Sequence, residues 1–144
     1  MELVVRGNCS LVTGIAGISE NIHINGIIDR YLEHSRIFIF ANGGKPRYFI
    51  GSADWMPRNL DNRIEVLAPV YDKEIQADLK RIVCYGYRDT AKGRIVDGTG
   101  ENRPWENRPS TLCKDFTPAL AEAETATVVF RSQEELYRKY KNTL

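Results

Sequence analysis

The sequence predicts an α/β fold, a mixed β-sheet flanked by helices. Short apolar and β-branched runs, separated by glycine-rich turns, indicate strands in the first half of the chain. Apolar residues at helical spacing indicate helices in the second half. With 144 residues the chain is long enough for one domain with a core of its own, so we expect a single domain over 1–144.

Composition excludes several classes of protein. A hydrophobic fraction of 42% and a charged fraction of 27% are ordinary for a globular protein and argue against disorder. No apolar run approaches the ~20 residues of a membrane span, and the N-terminus lacks the pattern of a signal peptide. The net charge is +1, so a general nucleic-acid binder is not expected. Any anion must be held by a few placed groups.

The cysteines indicate the compartment. Cys9, Cys84 and Cys113 are odd in number and widely spaced, and they fit neither a zinc pattern nor a disulfide framework. We therefore expect three reduced thiols in a cytoplasmic protein.

Strand signals follow one another along the first 70 residues. Consecutive apolar residues at 36–40 predict a strand that is buried on both faces. Asn42, Gly43 and Gly44 form a turn signal between this run and the run at 48–50, so the two runs should pair as an antiparallel hairpin. We expect further strands at 3–5, 22–28 and 63–70, and a helical turn at 29–33.

Two helices are expected after residue 70. Asp72 is a suitable N-cap for the first, because its short side chain can accept from the N–H groups of the first turn. The second carries a capping box, Ser132 with Glu135. Between them, the polar stretch 98–111 contains glycines and prolines and is expected to be a loop. The residues expected to be buried are Ile75, Leu79, Ile82 and Val83 in the first helix and Leu136, Tyr137 and Tyr140 in the second.

One group of residues suggests phosphate chemistry. His34 and Arg36 are two positions apart on a strand, so their side chains should point to the same face. Arginine offers a planar fork of donors to a phosphoryl group, and histidine exchanges a proton near neutral pH. The hairpin places residue 34 across from about residue 53, which brings Ser52 and Asp54 beside them. Ser52 could then donate to a phosphate oxygen, and Asp54 could orient the histidine or the arginine.

Taken alone, a His-x-Arg triplet is a weak signal, because a lone strand histidine more often has a structural role. The addition of Gly-Ser-x-Asp on the paired strand strengthens it. Arg58 either reaches the phosphate site or pairs with Glu65 or Asp61, and the sequence leaves both open. No cluster of carboxylates and histidines indicates a metal site made by the protein, so Mg²⁺ would arrive with a nucleotide.

The same residues resemble a known pattern. His-x-Lys followed by Gly-Ser-x-Asn is the pattern of the phospholipase D superfamily, and this chain has His34-x-Arg36 and then Gly51-Ser52-x-Asp54. Residues 2–70 also resemble the last catalytic domain of bacterial polyphosphate kinases. The strings that carry this resemblance are Leu-Val-Val-Arg-Gly (3–7), Ile-Ser-Glu-Asn-Ile (18–22), Tyr-Leu-Glu-His-Ser-Arg-Ile-Phe (31–38), Gly-Ser-Ala-Asp-Trp-Met-Pro-Arg-Asn-Leu (51–60) and Arg-Ser-Gln-Glu-Glu-Leu-Tyr (131–137).

The resemblance implies a phospholipase D-like fold and a shared site. In that family two such domains face one another, and the preceding one carries the histidine that ATP phosphorylates. By position, His34 and Arg6 match the residues of the last domain that contact the nucleotide's phosphates. The implied reaction is reversible transfer of the terminal phosphate of ATP to inorganic polyphosphate, with Mg²⁺. The implied partners are ATP, ADP, polyphosphate, the preceding domains of the same enzyme and further copies in a homo-oligomer. The resemblance also leaves open a peripheral association of the full enzyme with the membrane.

Departures from the family pattern limit what the chain can do alone. The other histidine, His23, lies in no His-x-Lys pattern, so the phosphorylated histidine has no counterpart here. The resemblance weakens over about 98–125, and Asn8 and Thr13 differ from the wording expected of the family. The chain starts inside the family's sequence and is expected to be an excised or truncated piece that is inactive by itself.

Two other functions remain open at this stage. A phosphodiesterase of the phospholipase D type would act as a dimer with one histidine from each copy, although Arg36 and Asp54 stand where that pattern has lysine and asparagine. A non-catalytic domain would bind nucleotide or polyphosphate, or serve assembly alone. Hydrolysis of a diester by this chain would indicate the first, and binding without turnover the second.

Overall fold

The computed structural model describes residues 1–7, 9–106, 108–114 and 129–141. They pack as two compact units: the first consists of Met1–Leu32 and Ile82–Leu144, the second of Glu33–Arg81. The predicted α/β class is confirmed, while a single domain over 1–144 stays a prediction. Asn8 and positions 115–125 of the region where the resemblance weakens lie outside the described residues. In the described part, no helix is long and apolar enough to cross a bilayer.

Four strands precede the first α-helix of the described residues, and helices and strands alternate after it. Besides the 3₁₀ turn Asn42–Gly44, the described elements are β1 (Glu2–Val5), β2 (His23–Ile27), β3 (Ile37–Phe40), β4 (Arg47–Gly51), α1 (Pro57–Leu60), β5 (Leu67–Val70), α2 (Lys73–Tyr87), β6 (Gly93–Ile95) and α3 (Ser132–Tyr140).

The sheet of the first unit has the order β1-β2-β6. β1 and β2 are parallel and β6 is antiparallel to β2, so this sheet is mixed as predicted. Strand β6 was not predicted, because three residues beginning with a glycine carry little strand signal. The buried apolar residues of this unit are Ile24, Ile27, Cys84, Tyr87, Trp105, Cys113 and Phe130.

Close packing at the centre of this sheet requires a glycine. Asn25 is fully buried on β2, and its amide nitrogen donates to the carbonyl oxygens of Gly86 (3.0 Å) and Asp89 (3.2 Å). A Cβ placed on Gly93 would lie 2.1 Å from the Asp89 carbonyl oxygen and 2.5 Å from Asn25 Oδ1. Any other residue there would push β6 away from β2.

Helix α3 is capped from a distant part of the chain. Ser132 is its first residue, and the N-cap position is Arg131, which makes no side-chain cap. The buried Asp89 carboxylate takes that role, because its Oδ2 accepts from the N–H (2.8 Å) and the Oγ (2.7 Å) of Ser132. The predicted capping box of Ser132 and Glu135 is therefore wrong, and Tyr137, which we expected to be buried, is 61% exposed.

The predicted helical turn at 29–33 is also absent. The side-chain amide of Gln133 accepts from the N–H of Tyr31 (2.9 Å) and donates to its carbonyl oxygen (2.8 Å), so these backbone groups bond to α3 and form no turn. Asp29, whose side chain is 1% exposed, pairs with Arg131 through two hydrogen bonds of 2.9 and 2.6 Å.

The second unit contains the antiparallel sheet β3-β4-β5. The predicted hairpin is confirmed, and its turn contains three consecutive residues with positive φ: Asn42 (45°), Gly43 (60°) and Gly44 (87°). The expectation that β3 is buried on both faces is wrong, since Phe40 is 49% exposed and the other residues are half-buried.

Helix α2 starts as predicted. Oδ1 of Asp72 accepts from the N–H groups of Glu74 (2.8 Å) and Ile75 (3.0 Å). Residues 73–81 of the helix belong to the second unit and residues 82–87 to the first. The expected apolar face is not fully covered, because Ile75 is 52% exposed.

Two cysteines of the first unit are joined. Cys84 on α2 and Cys113 form a disulfide with their Cα atoms 5.5 Å apart, and both are fully buried. The prediction of three reduced thiols is therefore wrong for this pair, whereas Cys9 is free. The partners lie 29 residues apart, and sequence spacing alone did not indicate that they meet. In the described part of 98–111 the regular structure is a single bridge from Pro104 to Arg94, and Trp105 packs edge-on against Tyr87.

Candidate phosphate site

The β3–β4 hairpin positions the candidate site. Its ladder pairs Ile37 with Ile50 and Phe38 with Phe49, and the N–H of Gly51 donates to the carbonyl oxygen of Arg36 at 3.0 Å. Extending this register places residue 34 opposite residue 53, as the sequence predicted. The hairpin therefore brings the 34–36 segment beside the 51–54 segment.

The side chains of His34 and Arg36 are in contact. Nη1 of Arg36 lies 2.9 Å from Nδ1 and 3.3 Å from Nε2 of His34, and it also donates to the His34 carbonyl oxygen at 2.9 Å. Guanidinium groups only donate, so the imidazole nitrogen that bonds to Nη1 must be the acceptor. Nδ1 makes the shorter contact, and Nε2 lies 3.3 Å from both Nη1 and Nη2 of Arg36. Both nitrogens of the imidazole therefore face the guanidinium, which fixes the position of the ring.

Asp54 holds Arg36 from the other side. Its Oδ1 accepts from Nε of Arg36 at 3.0 Å and lies 2.9 Å from Nη2. The Arg36 side chain is 16% exposed and that of Asp54 is 36% exposed, so the pair is partly shielded from water. His34 itself is exposed. The three residues form a chain in which the carboxylate orients the guanidinium and the guanidinium orients the imidazole.

Ser52 does not join this chain. Its hydroxyl donates to the Glu65 carboxylate and accepts from the N–H of Val66 at 3.0 Å. Glu65 is the residue that sequence analysis missed as a neighbour of the site. Finding it would have required the β4–β5 register, which pairs Gly51 with Leu67.

The other predicted phosphate ligands lie on separate elements. Arg58 is exposed on the short helix α1. Neither alternative ion pair, with Glu65 or with Asp61, occurs among the described residues. Arg6 is exposed directly after β1 and belongs to the first unit.

An aromatic pair borders the 51–54 segment. Trp55 stacks on Phe38 with ring centroids 5.7 Å apart and an interplanar angle of 15°, and it is 66% exposed. Within the described ranges, no three His, Cys, Asp or Glu side chains gather as a metal-binding group.

Comparison with known proteins identifies the family. The family model described as "Polyphosphate kinase C-terminal domain 2" matches residues 1–114. This chain belongs to the polyphosphate kinase C-terminal domain 2 family. The expected resemblance, drawn from the strings at 3–7, 31–38 and 51–60, is thereby confirmed.

Named relatives and a solved structure agree with this assignment. The polyphosphate kinase of Vibrio vulnificus strain YJ016 is 52% identical over 97 residues, 67% of this chain and 14% of the relative. That of Escherichia coli K12 is 46% identical over 130 residues, 86% of this chain and 19% of the relative. The crystal structure of polyphosphate kinase from Porphyromonas gingivalis matches 99% of this chain and 19% of its own, with 38% identity and a TM-score of 0.77. The chain thus spans less than a fifth of each of these polyphosphate kinases.

Proposed function

We propose that this chain is the C-terminal half-site domain of a polyphosphate kinase. In the complete enzyme it would take part in the reversible transfer of the terminal phosphate of ATP to inorganic polyphosphate, with Mg²⁺ bound to the nucleotide. The observation that supports this most directly is the Asp54–Arg36–His34 chain on the family's own hairpin motif. Whole-protein activity belongs to the longer relatives, of which this domain is less than a fifth.

The proposed chemistry divides between two domains. The bond between the γ-phosphorus of ATP and its bridging oxygen breaks, and a histidine of the preceding domain takes the phosphoryl group while ADP leaves. A terminal polyphosphate oxygen then attacks the phosphohistidine and releases the free imidazole. Both steps depend on positioned cations and donors around the phosphoryl oxygens.

His34 is the proposed catalytic residue of this chain. Nε2 of His34 lies 3.3 Å from Arg36, farther than Nδ1, and a bound phosphoryl group would replace that longer contact. Nε2–H would then donate to a phosphoryl oxygen or protonate a leaving oxygen. Arg36 contributes positive charge beside it, and Asp54 keeps the guanidinium in place. Arg6 remains a proposed phosphate ligand on the strength of the sequence resemblance, and Ser52 and Arg58 remain proposed ligands because of their places in the chain near the hairpin motif. Ser52 would have to exchange its bond to Glu65 for one to phosphate.

The test uses terminally labelled ATP, Mg²⁺ and short polyphosphate. The chain is assayed alone and as a replacement for the matching 130 residues of the E. coli polyphosphate kinase. We expect label in polyphosphate with the chimera and none with the chain alone. Replacing His34 with alanine should lower transfer by about 100-fold or more, the usual effect of removing one well-placed donor. The matched control is Lys139→Ala on α3, which should leave transfer unchanged.

Each other outcome has a definite meaning. Full transfer by a folded His34→Ala chimera would refute the catalytic role of His34. Hydrolysis of a phosphodiester by the chain alone would favour the dimeric phosphodiesterase. Tight binding of ATP or polyphosphate by a chimera without transfer would favour a non-catalytic binding domain.

A further inference from the structure

A cleft lies at one edge of the sheet of the first unit. Strands β1 and β2 are parallel, so their carboxyl ends meet at the same edge, where Gly7 and Ile28 follow them. Strand β6 begins at that edge, because Gly93 pairs with Ile27. The cleft there has a volume of about 600 Å³, within the range of small-molecule sites. Ligands of open α/β sheets commonly bind outside the carboxyl ends of parallel strands.

Glycines form much of the cleft wall. Gly7, Gly98 and Gly100 line it with φ values of 73°, 79° and 76°, a conformation that other residues rarely adopt. Gly26 lines it from β2, and a Cβ there would lie 2.6 Å from Val96 Cγ2. Backbone without side chains allows a ligand to approach closely, which suits phosphate oxygens that accept from N–H groups.

Two cations line the same cleft. Lys92 is exposed, and Arg94 is half-buried with Nη1 donating to the Gly93 carbonyl oxygen at 2.7 Å. A guanidinium has five N–H donors, and this bond uses one of them. Both residues stand at the start of β6, next to the ends of β1 and β2.

The nearby carboxylates are already paired. Asp97 lines the cleft, but its Oδ1 accepts from the N–H and Oγ1 of Thr99 and its Oδ2 pairs with Arg103. The Thr99 hydrogen bonds and then the Arg103 contact lower the pKa of Asp97 to about 2. Asp29 pairs with Arg131. The hydrogen bond from Arg131 is the main cause that lowers the Asp29 pKa, and the charge of Lys92 makes a minor contribution. Among the described residues, the ion pairs of Asp97 and Asp29 are therefore with Arg103 and Arg131, and not with Lys92 or Arg94.

We propose that this cleft binds a phosphate chain, with Lys92 and Arg94 holding its oxygens. Its described lining includes no aromatic ring on which a base could stack, so the ligand is an oligophosphate and not a nucleoside. The choice of polyphosphate rests on the proposed function, whereas the anion site itself rests on the cleft.

Cys9 provides a direct readout of occupancy. It lines the cleft, and it is the free cysteine, because Cys84 and Cys113 are joined. The experiment measures the rate at which the uncharged reagent N-ethylmaleimide alkylates Cys9, with and without tripolyphosphate at constant ionic strength. We expect tripolyphosphate to slow alkylation about fivefold or more in the 144-residue chain. The protection should be lost in the double variant Lys92→Gln/Arg94→Gln and kept in Lys139→Gln.

Further arms separate the possible ligands. Sulfate at equal ionic strength should give little protection of Cys9. If sulfate protected Cys9 as well as tripolyphosphate does, the cleft would be a non-specific anion site and the proposal would be overturned. Protection by ATP but not by tripolyphosphate would make it a nucleotide site and also overturn it. Failure of tripolyphosphate to protect the wild-type chain would overturn it directly, as would undiminished protection in a folded double variant.

The outcome is independent of the phosphotransfer assay. His34→Ala should lower transfer in the chimera by about 100-fold or more without changing Cys9 protection. If the chimera transfers phosphate while tripolyphosphate leaves Cys9 unprotected, the proposed function stands and the cleft proposal fails. If Cys9 is protected but the chimera is inactive, the anion cleft stands and the proposed function fails.

Discussion

Arg36 and Asp54 contact each other at 2.9 Å, and they are the two residues of the motif that differ from the phospholipase D pattern. That pattern has lysine and asparagine at these positions. A guanidinium presents several donors to a carboxylate, whereas an ammonium donates from a single point. The two departures therefore form one coupled change. The oppositely charged pair Arg36 and Asp54 stands where the pattern has a charged lysine and a neutral asparagine, and it still contacts His34 through Arg36.

The first prediction is a double-mutant cycle on this pair. Arg36→Lys and Asp54→Asn should each lower transfer in the chimera by about tenfold, because each removes charge-assisted hydrogen bonds that orient His34. The double variant restores the phospholipase D pattern and should recover most of the loss, a coupling of about 2 kcal/mol. Steady-state transfer rates with labelled ATP measure it. A double variant whose loss equals the product of the single losses would show that the two side chains act separately.

The sequence predicted the hairpin well because one local turn sets its register. Gly43 and Gly44 lie at the centre of the loop, and two strands joined by so short a turn have little freedom to slip. The neighbours of His34 followed from that register. The Ser52–Glu65 contact did not, because it depends on how β5 aligns after an irregular segment with no repeating pattern.

The predicted cap of α3 was wrong because the real capping group is also distant in sequence. The Ser132 and Glu135 pattern is local and weak, whereas Asp89 lies 43 residues away from Ser132 and reaches it only in the folded unit. Tertiary contact overrode the local signal. The Cys84–Cys113 bond and the Lys92–Arg94 cleft were missed for the same reason.

The second prediction concerns this distant cap. Asp89 is fully buried, with Oδ2 accepting from Ser132 and Oδ1 accepting from the Lys92 N–H at 2.7 Å. Asp89→Asn places an NH₂ group against one of these donors and should destabilise the first unit by about 1–3 kcal/mol. Urea unfolding followed by Trp105 fluorescence, in a Trp55→Phe background, measures this unit.

The matched control for that cap is Glu135→Gln. Glu135 belongs to the predicted capping box, but in the structure its carboxylate pairs with Arg138 at the surface. Its replacement should change unfolding by no more than about 0.5 kcal/mol. If Glu135→Gln lowered the free energy of unfolding more than Asp89→Asn does, the local capping box would cap α3 after all.

The third prediction concerns acid stability. The hydrogen bond from Arg131 holds the pKa of Asp29 below its ordinary value. A carboxyl with a lowered pKa in the folded state stabilises it above the unfolded pKa, and the contribution is lost as the pH falls through the folded pKa. Arg131→Gln should therefore destabilise the first unit strongly near neutral pH and less at about pH 2.5, which lies below the unfolded pKa of about 3.9. Urea midpoints of Trp105 fluorescence at the two pH values measure it.

A surface arginine on the same helix is the control for the acid effect. Arg138 pairs with Glu134 and Glu135 and is 66% exposed, so Arg138→Gln should have a small effect at both pH values. If the Arg131→Gln loss stayed constant from neutral to acid pH, Asp29 would not be the titrating partner.

The fourth prediction concerns alkaline stability. Tyr87 is 1% exposed, and burial, with a smaller contribution from the Glu2 charge, raises the pKa of its phenol to about 12. An unfolded tyrosine loses its proton near about pH 10. Between these values the folded state binds more protons than the unfolded state, so the free energy of unfolding falls as the pH rises. At about pH 11 the loss from this group should be about 1 kcal/mol.

Tyr87→Phe should remove that alkaline loss without weakening the unit at neutral pH. The Tyr87 hydroxyl has no hydrogen-bond partner among the described residues, so phenylalanine discards a buried polar group and keeps the edge-on contact with Trp105. Urea midpoints at about pH 8 and 11 measure both effects, with Tyr137→Phe on the exposed face of α3 as the control. If Tyr137→Phe removed as much of the alkaline loss as Tyr87→Phe, burial of the Tyr87 phenol would not be its cause.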